Sequence, residues 1–326
     1  MSSLRLRQSI ARQYRLFRCA RRIGSYAWAK RLFEAKAPAI PAQAGPQDDL
    51  VLAELRLRLS AEHSFALRAY GNLLALKASG FGFAAAENGE LDARISNLCV
   101  RLNSIEEIFI LKEIFSEHVY DLAPAENALV VDIGMNVGFA SLFFAWCWPG
   151  SNIEAFEPFP ATFARAQYQF SLNRDLAARI NANPFGLWKA DERATVRYSA
   201  ESKGATGLWG VQGKSIPGLA PHADNQEMQL RDAAAVLGPL LPAPGSRLVV
   251  LKIDCEGGEY GIFDRLAKAG LADRFDVILM EWHRLAPDHD PRRLRELLTQ
   301  CGYRSVCPNN IDGPVGMIYA CKRGIC

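Results

Sequence analysis

Residues 129–138, Leu-Val-Val-Asp-Ile-Gly-Met-Asn-Val-Gly, constrain the fold more than any other stretch of the chain. A short apolar run is the mark of a strand buried on both faces of a parallel sheet. This one ends in Asp132, turns at Gly134 and Gly138, and enters the apolar segment 139–148. Strand, glycine turn and helix N-terminus in that order form a cradle for a nucleotide-like ligand. A dinucleotide site needs Gly-x-Gly-x-x-Gly, so that bare backbone can approach pyrophosphate. Counted from Gly134, the second and third glycine positions hold Asn136 and Phe139. Both put side chains where phosphate should sit. A ligand without phosphate fits better, and S-adenosylmethionine is the common one.

A second strand strengthens this reading. Residues 152–158, Asn-Ile-Glu-Ala-Phe-Glu-Pro, are an apolar strand ending at Glu157, which follows Gly134 by 157 − 134 = 23 positions. Dinucleotide folds place an acid about 20 positions on, where it accepts hydrogen bonds from ribose hydroxyls. A carboxylate only accepts, so it suits a diol. Pro158 then stops the strand.

The 326 residues suit one α/β domain with an extension, and 49% hydrophobic with 22% charged residues supports a sizeable core. A net charge of +3 is too small to argue for nucleic acid. No apolar run approaches the roughly 18 residues of a membrane span. The eight cysteines show no Cys-x-x-Cys spacing, which argues against a zinc site or a disulfide framework and fits a reducing, cytoplasmic setting.

Three regions are expected. Residues 1–45 join a basic arm to a Pro/Ala-rich linker. In the arm ten Arg and Lys face only Glu34, with aromatic and aliphatic residues interleaved. Such a helix suits peripheral contact with an anionic membrane surface, a mobile arm or a partner. Residues 46–122 are read as a helical extension covering the site. Leu52, Leu55, Leu59, Phe65, Leu73 and Leu76 are its expected core, and Ser104 with Glu107 caps a helix over 104–117. Residues 123–326 form the ligand-binding domain. Its strands are expected near 129–133, 152–157, 180–188, 247–254, 275–282, 303–307 and 315–321. Helices are expected near 139–147, 160–172, 232–240, 258–269 and 291–301. The alternation predicts a Rossmann-like, seven-stranded, mostly parallel α/β sheet with a terminal antiparallel hairpin. The stretch 199–226 lacks periodicity and is long for a connection, as a substrate loop would be.

Ligands in open α/β sheets bind beyond the carboxyl ends of the strands. The strand 247–254 ends in Asp254, and Glu256 and Glu259 follow within one turn. Carboxylates this close raise one another's pKa unless they are paired or bound. Asp254 and Glu256 are candidate functional groups, while Glu259 in a first helical turn is equally explained by the helix dipole. The next strand ends Glu281-Trp282-His283. Glu281 and His283 share one face of an extended chain, which makes His283 a candidate general base. Asp254, Glu281 and His283 could hold Mg²⁺ or Mn²⁺, although no metal is assigned.

Residues 130–138, Phe-Glu-Pro at 156–158 and Leu-Lys-Ile-Asp-Cys-Glu-Gly-Gly-Glu-Tyr at 251–260 resemble the FkbM-type family of class I methyltransferases. The resemblance covers about 104–322. It implies methyl transfer from S-adenosyl-L-methionine, mostly to hydroxyl oxygens of sugars or polyketide-like products. By position it implies that Asp132, Gly134, Asn136 and Gly138 contact the methionine portion and Glu157 the ribose. Asp254 and Glu256 would then lie near the methyl group.

The expected reaction is O-methylation of a small-molecule or glycan hydroxyl. His283, oriented by Glu281 or Asp254, would remove the proton, with Asp254 acting directly as the runner-up. Two other classes compete. One is a non-catalytic methyltransferase-fold partner of a glycan or natural-product assembly complex. The other is an NAD(P)-linked oxidoreductase, against which the missing third glycine speaks. Acceptor identity and oligomeric state are not encoded in any motif.

Overall fold

The computed structural model describes residues 30, 42–44, 49–60, 63–122, 126–199, 206–207, 210–211 and 223–322. Almost all of the basic arm and linker, and most of 199–226 with Trp209, lie outside the described residues. The chain divides into two compact units, residues 1–119 and 120–326. No helix among the described residues is long and apolar enough to cross a membrane.

The first unit is mixed rather than helical. Leu50–Leu52 and Leu57–Leu59 are antiparallel strands joined by a single 3₁₀ turn, and Ser64–Arg68, Tyr70–Ala78 and Ile105–Phe115 are α-helices. The expected helix over 49–78 is thus corrected in its first third. There Leu55, Leu57 and Leu59 are buried and alternate with exposed Arg56 and Arg58, the period of a strand. Gly82–Ala85, Leu91–Ile95 and Leu98–Leu102 add an antiparallel sheet. The expected cap is present: Ser104 Oγ accepts from Glu107 N at 3.1 Å, and Glu107 Oε2 accepts from Asn103 N at 3.0 Å.

The second unit alternates strands and helices: β1 (Leu129–Ile133), α1 (Phe139–Cys147), β2 (Asn152–Phe156), α2 (Pro160–Ser171), α3 (Arg174–Ala177) and β3 (Ile180–Asn183). After these come β4 (Gly186–Trp188), β5 (Glu192–Ser199), β6 (Ala223–Asp232) and α4 (Ala233–Leu237). The chain continues with β7 (Val249–Ile253), α5 (Gly258–Lys268), β8 (Val277–His283), α6 (Pro291–Gln300), β9 (Tyr303–Val306) and β10 (Val315–Lys322). Seven of the strands form one sheet in the order β9-β10-β8-β7-β1-β2-β3. All neighbours are parallel except β10, which runs antiparallel to β8 and β9. This is the class I methyltransferase sheet with its terminal hairpin.

Every residue of β1 and β7 is buried, as central parallel strands require. Phe139 to Ala145 of α1 are also buried without exception, which is why that helix is apolar on all sides. The chain order runs outward in both directions from the β1–β7 pair. The crevice beyond their carboxyl ends is therefore the switch point at which α/β sheets bind ligands.

The expected strand 180–188 is two strands. Residues 184–185 leave the sheet, and β4 pairs instead with β6 in a separate three-stranded sheet, β4-β6-β5. Pro184 has no N–H to continue the ladder. Trp188 is buried beneath Gly261, where a Cβ would come within 2.5 Å of its ring, and Trp282 is fully buried. Both are core residues.

Candidate active site

The turn after β1 is built from backbone. Gly134 N and Met135 N donate to Phe156 O at 3.1 and 2.9 Å. Gly134 has φ +81°, and a Cβ there would lie 1.7 Å from Asp254 O, so only glycine lets the ends of β1 and β7 approach this closely. Asn136 takes a left-handed conformation, φ +52°, which asparagine tolerates better than most residues. Its side chain accepts from Val137 N at 2.7 Å. Gly138, φ +86°, begins α1, and a Cβ there would strike the Phe170 ring of α2.

Glu157 sits at the end of β2 and is buried. Its Oε2 accepts from Asn136 N and its Oε1 from Phe159 N, each at 3.0 Å. Burial pushes its pKa up to about 7 against the opposing pull of those two N–H groups. Each oxygen keeps a free lone pair, so the carboxylate can still accept from a diol.

Asp132 has a different place from the one its motif implies. It is fully buried under the turn, accepts from Ser141 Oγ at 2.6 Å, and stands 3.0 Å from Lys252 Nζ. Asp132 and Lys252 are direct partners across the β1–β7 ladder. Lys252 Nζ also donates to Gly134 O at 2.6 Å. Burial disfavours the ammonium, but Asp132 and Asp254 outweigh it and hold the lysine pKa above its ordinary value. The pair is thus a charged rivet beneath the glycine turn.

The turn after β7 carries acids. Asp254 follows the strand, its N–H bonded to Ile133 O at 3.0 Å and its Oδ2 3.5 Å from the Tyr120 hydroxyl, which donates to it. Glu256 is left-handed at φ +50°, and Gly257 at φ +94° opens α5. Glu259 is fully buried and accepts from Gly257 N at 2.8 Å and from His283 N at 2.6 Å. It therefore ties the turn to β8, a role beyond capping. The Cys255 thiol is pushed well above its usual pKa by burial, which leaves it a poor nucleophile.

His283 is also buried. Its Nε2 is 3.5 Å from Glu256 Oε1 and its Nδ1 3.5 Å from Glu259 Oε1. Burial opposes its charge, but Glu259, Glu256 and Asp254 prevail and push its pKa up to about 10. An imidazolium has no lone pair to receive a proton, so the expected general base does not fit this state. Of the two expected orienting acids, Asp254 does act on the ring, whereas Glu281 lies opposite Met317, where its charge acts on Tyr319; Glu256 and Glu259 flank the histidine.

These elements enclose a cavity of about 670 Å³, counting its open mouth. Gly134, Asn136 and Glu157 from the ends of β1 and β2 line it together with Asp254, Cys255 and Glu256 from the turn after β7. Phe156, Phe159, Leu187, Met228, Leu230 and Ile262 supply apolar walls. Of the nine expected site residues, Gly134, Asn136, Glu157, Asp254 and Glu256 line it, whereas Asp132, Gly138, Glu281 and His283 do not. Lys252 organises the site from beneath, and its mark in the sequence is a lysine in the middle of an otherwise apolar strand.

Residues 132–305 match the methyltransferase FkbM domain family. Methyltransferase 1 of Beauveria bassiana (strain ARSEF 2860) is 32% identical over 168 residues, covering 48% of this chain and 66% of that protein. The chain thus spans just under two thirds of that relative. The 31-O-demethyl-FK506 methyltransferase FkbM of Streptomyces tacrolimicus is 26% identical over 237 residues, covering 68% of this chain and 82% of that protein. A solved structure, methyltransferase FkbM from Methylobacillus flagellatus KT, aligns with a TM-score of 0.40 at 13% identity, covering 66% of this chain and 54% of that one. The family match takes in the β1 turn, Glu157, the acidic turn and His283, and the chain belongs to the FkbM family of S-adenosylmethionine-dependent methyltransferases.

Proposed function

We propose that this protein transfers a methyl group from S-adenosyl-L-methionine to a hydroxyl oxygen of a sugar, glycan or polyketide-like acceptor. The observation that carries the reading is one cavity lined by Glu157, Asp254 and Glu256 together, at the switch point of the sheet. The lining suits that co-substrate group by group. Glu157 offers lone pairs to a ribose diol, the apolar walls suit a purine, and the two acids favour a ligand that is cationic at sulfur and nitrogen. Choice of an oxygen acceptor rests on the Streptomyces relative, whose name describes action on 31-O-demethyl-FK506.

When bound, the sulfonium supplies an already activated methyl group. The chain must align an in-line displacement and keep water out. Asp254 is half-buried on the cavity wall and is the side chain placed to accept a hydrogen bond from an acceptor hydroxyl and to take its proton. Tyr120, donating to the same carboxylate, fixes its orientation. Lys252 and Asp132 hold the two strand ends together beneath.

Calorimetric titration with S-adenosylhomocysteine tests this reading. The expected result is binding of one molecule per chain in the micromolar range, lost in Glu157→Ala. No binding to a folded wild-type protein would overturn it and favour a nicotinamide cofactor or a binding-only role.

A further inference from the structure

Asp254 and Glu256, on the turn after β7, and His283, at the end of β8, each present a ligand atom within 4.8 Å of the others. Two carboxylates and an imidazole form an oxygen-rich donor set of the kind that suits Mg²⁺ or Mn²⁺. Around an octahedral ion with bonds of about 2.1 Å, ligand atoms stand about 3.0 Å apart when adjacent and about 4.2 Å when opposite. Small side-chain rotations would close the observed cluster to that size.

A second observation concerns the histidine. It is 7% exposed, its ring reaches into the cluster, and its Nδ1 makes no hydrogen bond among the described residues. Nε2 faces Glu256, and behind the ring Glu259 Oε1 stands 3.5 Å from Nδ1. Glu259 is itself immobilised by Gly257 N and His283 N. A fixed carboxylate behind the far ring nitrogen is the arrangement that orients a metal-bound histidine. Asp254 and Glu256 also line the cavity, so an ion held here would face whatever binds in it.

We propose that Asp254, Glu256 and His283 bind one divalent cation of the Mg²⁺/Mn²⁺ class, which takes the place of the Nε2 proton of the imidazolium and frees that nitrogen's lone pair, with open positions directed at the acceptor hydroxyl. The binding site stands on the geometry alone; its role in catalysis rests on the methyltransferase reading. The cation draws electron density from the bound hydroxyl. The O–H bond breaks and its electron pair stays on oxygen for the new bond to the methyl carbon, the carbon–sulfur bond breaks with its pair left on sulfur as S-adenosylhomocysteine, and the proton passes to the Asp254 oxygen not bound to the ion. Three protein ligands leave room for the acceptor and for water, as a catalytic rather than a structural ion needs.

The test is titration of Mn²⁺ into the full chain, followed by electron paramagnetic resonance of the free ion. One ion per chain, bound with sub-millimolar affinity, is expected. Binding should weaken at least tenfold in His283→Ala and in the isosteric Glu256→Gln, with cooperative thermal unfolding checked for each. No binding to wild type, or equal binding by all three proteins, overturns the proposal. S-adenosylhomocysteine titrated into the same preparation separates the two readings. S-adenosylhomocysteine binding with no Mn²⁺ binding overturns the cation site and leaves the proposed function; Mn²⁺ binding with no S-adenosylhomocysteine binding does the reverse.

Discussion

The turns after β1 and β7 are geometric siblings with opposite electrostatics. Each places a left-handed non-glycine residue, Asn136 or Glu256, shortly before a left-handed glycine that opens a helix. In the first turn backbone N–H groups do the work, and the one charge beneath, Asp132, is answered by Lys252. In the second, Asp254, Glu256 and Glu259 gather around a single imidazole. The first turn is finished by folding and has only to receive a ligand. The second keeps an excess of negative charge that a cationic ligand or ion can still satisfy. Similar backbone thus presents N–H donors in one turn and carboxylates in the other.

If the two turns depend on each other, damage to their contact should be the most severe. Gly134→Ala drives a Cβ into Asp254 O at a position of positive φ, and should destabilise by more than about 4 kcal/mol, the exceptional range for one substitution. Urea denaturation checks this. Near-normal stability would mean that the turns can move apart freely.

Next comes the rivet. Lys252→Met leaves Asp132 buried without its cation, at an expected cost of about 3–5 kcal/mol. Adding Asp132→Asn should restore much of the loss, because the uncompensated charge goes with it. A double-mutant cycle with purely additive losses would show that the pair does not join the strands energetically.

The smallest effect separates the turns by pH. The Glu157 pKa of about 7 lies above its ordinary 4.5. Its contribution to folding is therefore fully present below about 4.5 and lost as pH rises through 7. Ligand binding runs the other way, because a diol needs the ionised acceptor. Affinity for S-adenosylhomocysteine should fall roughly tenfold from pH 8 to pH 6, with a flat profile in Glu157→Gln. A flat wild-type profile would remove Glu157 from the ribose site.

What could be read from the sequence follows from how local each signal is. Strands β1, β2, β7 and β8 and the helices α1, α2, α5 and α6 carried their own periodicity and punctuation. Glu157, Asp254 and Glu256 were legible because strand ends are where α/β sheets bind ligands. The Lys252–Asp132 rivet was not, because it depends on β1 and β7 being neighbours in register, and 120 residues separate the two partners. His283 looked like a base from its nearest acid in sequence, Glu281, but its charge state is set by Glu256 and Glu259 from another element. In the first unit the Leu-Arg alternation at 55–59 was present and was outvoted by a wider helical pattern. The break at Pro184 was equally visible.

The hairpin of β5 and β6 has a consequence for how such a protein can vary. Ser199 and Ala223 are paired, so the chain between them leaves and returns at one spot, while Met228 and Leu230 farther along β6 belong to the cavity wall. Lengthening that excursion adds only about 0.6 kcal/mol of closure entropy per doubling. Insertions and deletions there would leave the ladder register, and with it the wall, unchanged. The fold thus tolerates a change of chain length between Ser199 and Ala223 without redesign of the chamber beside them.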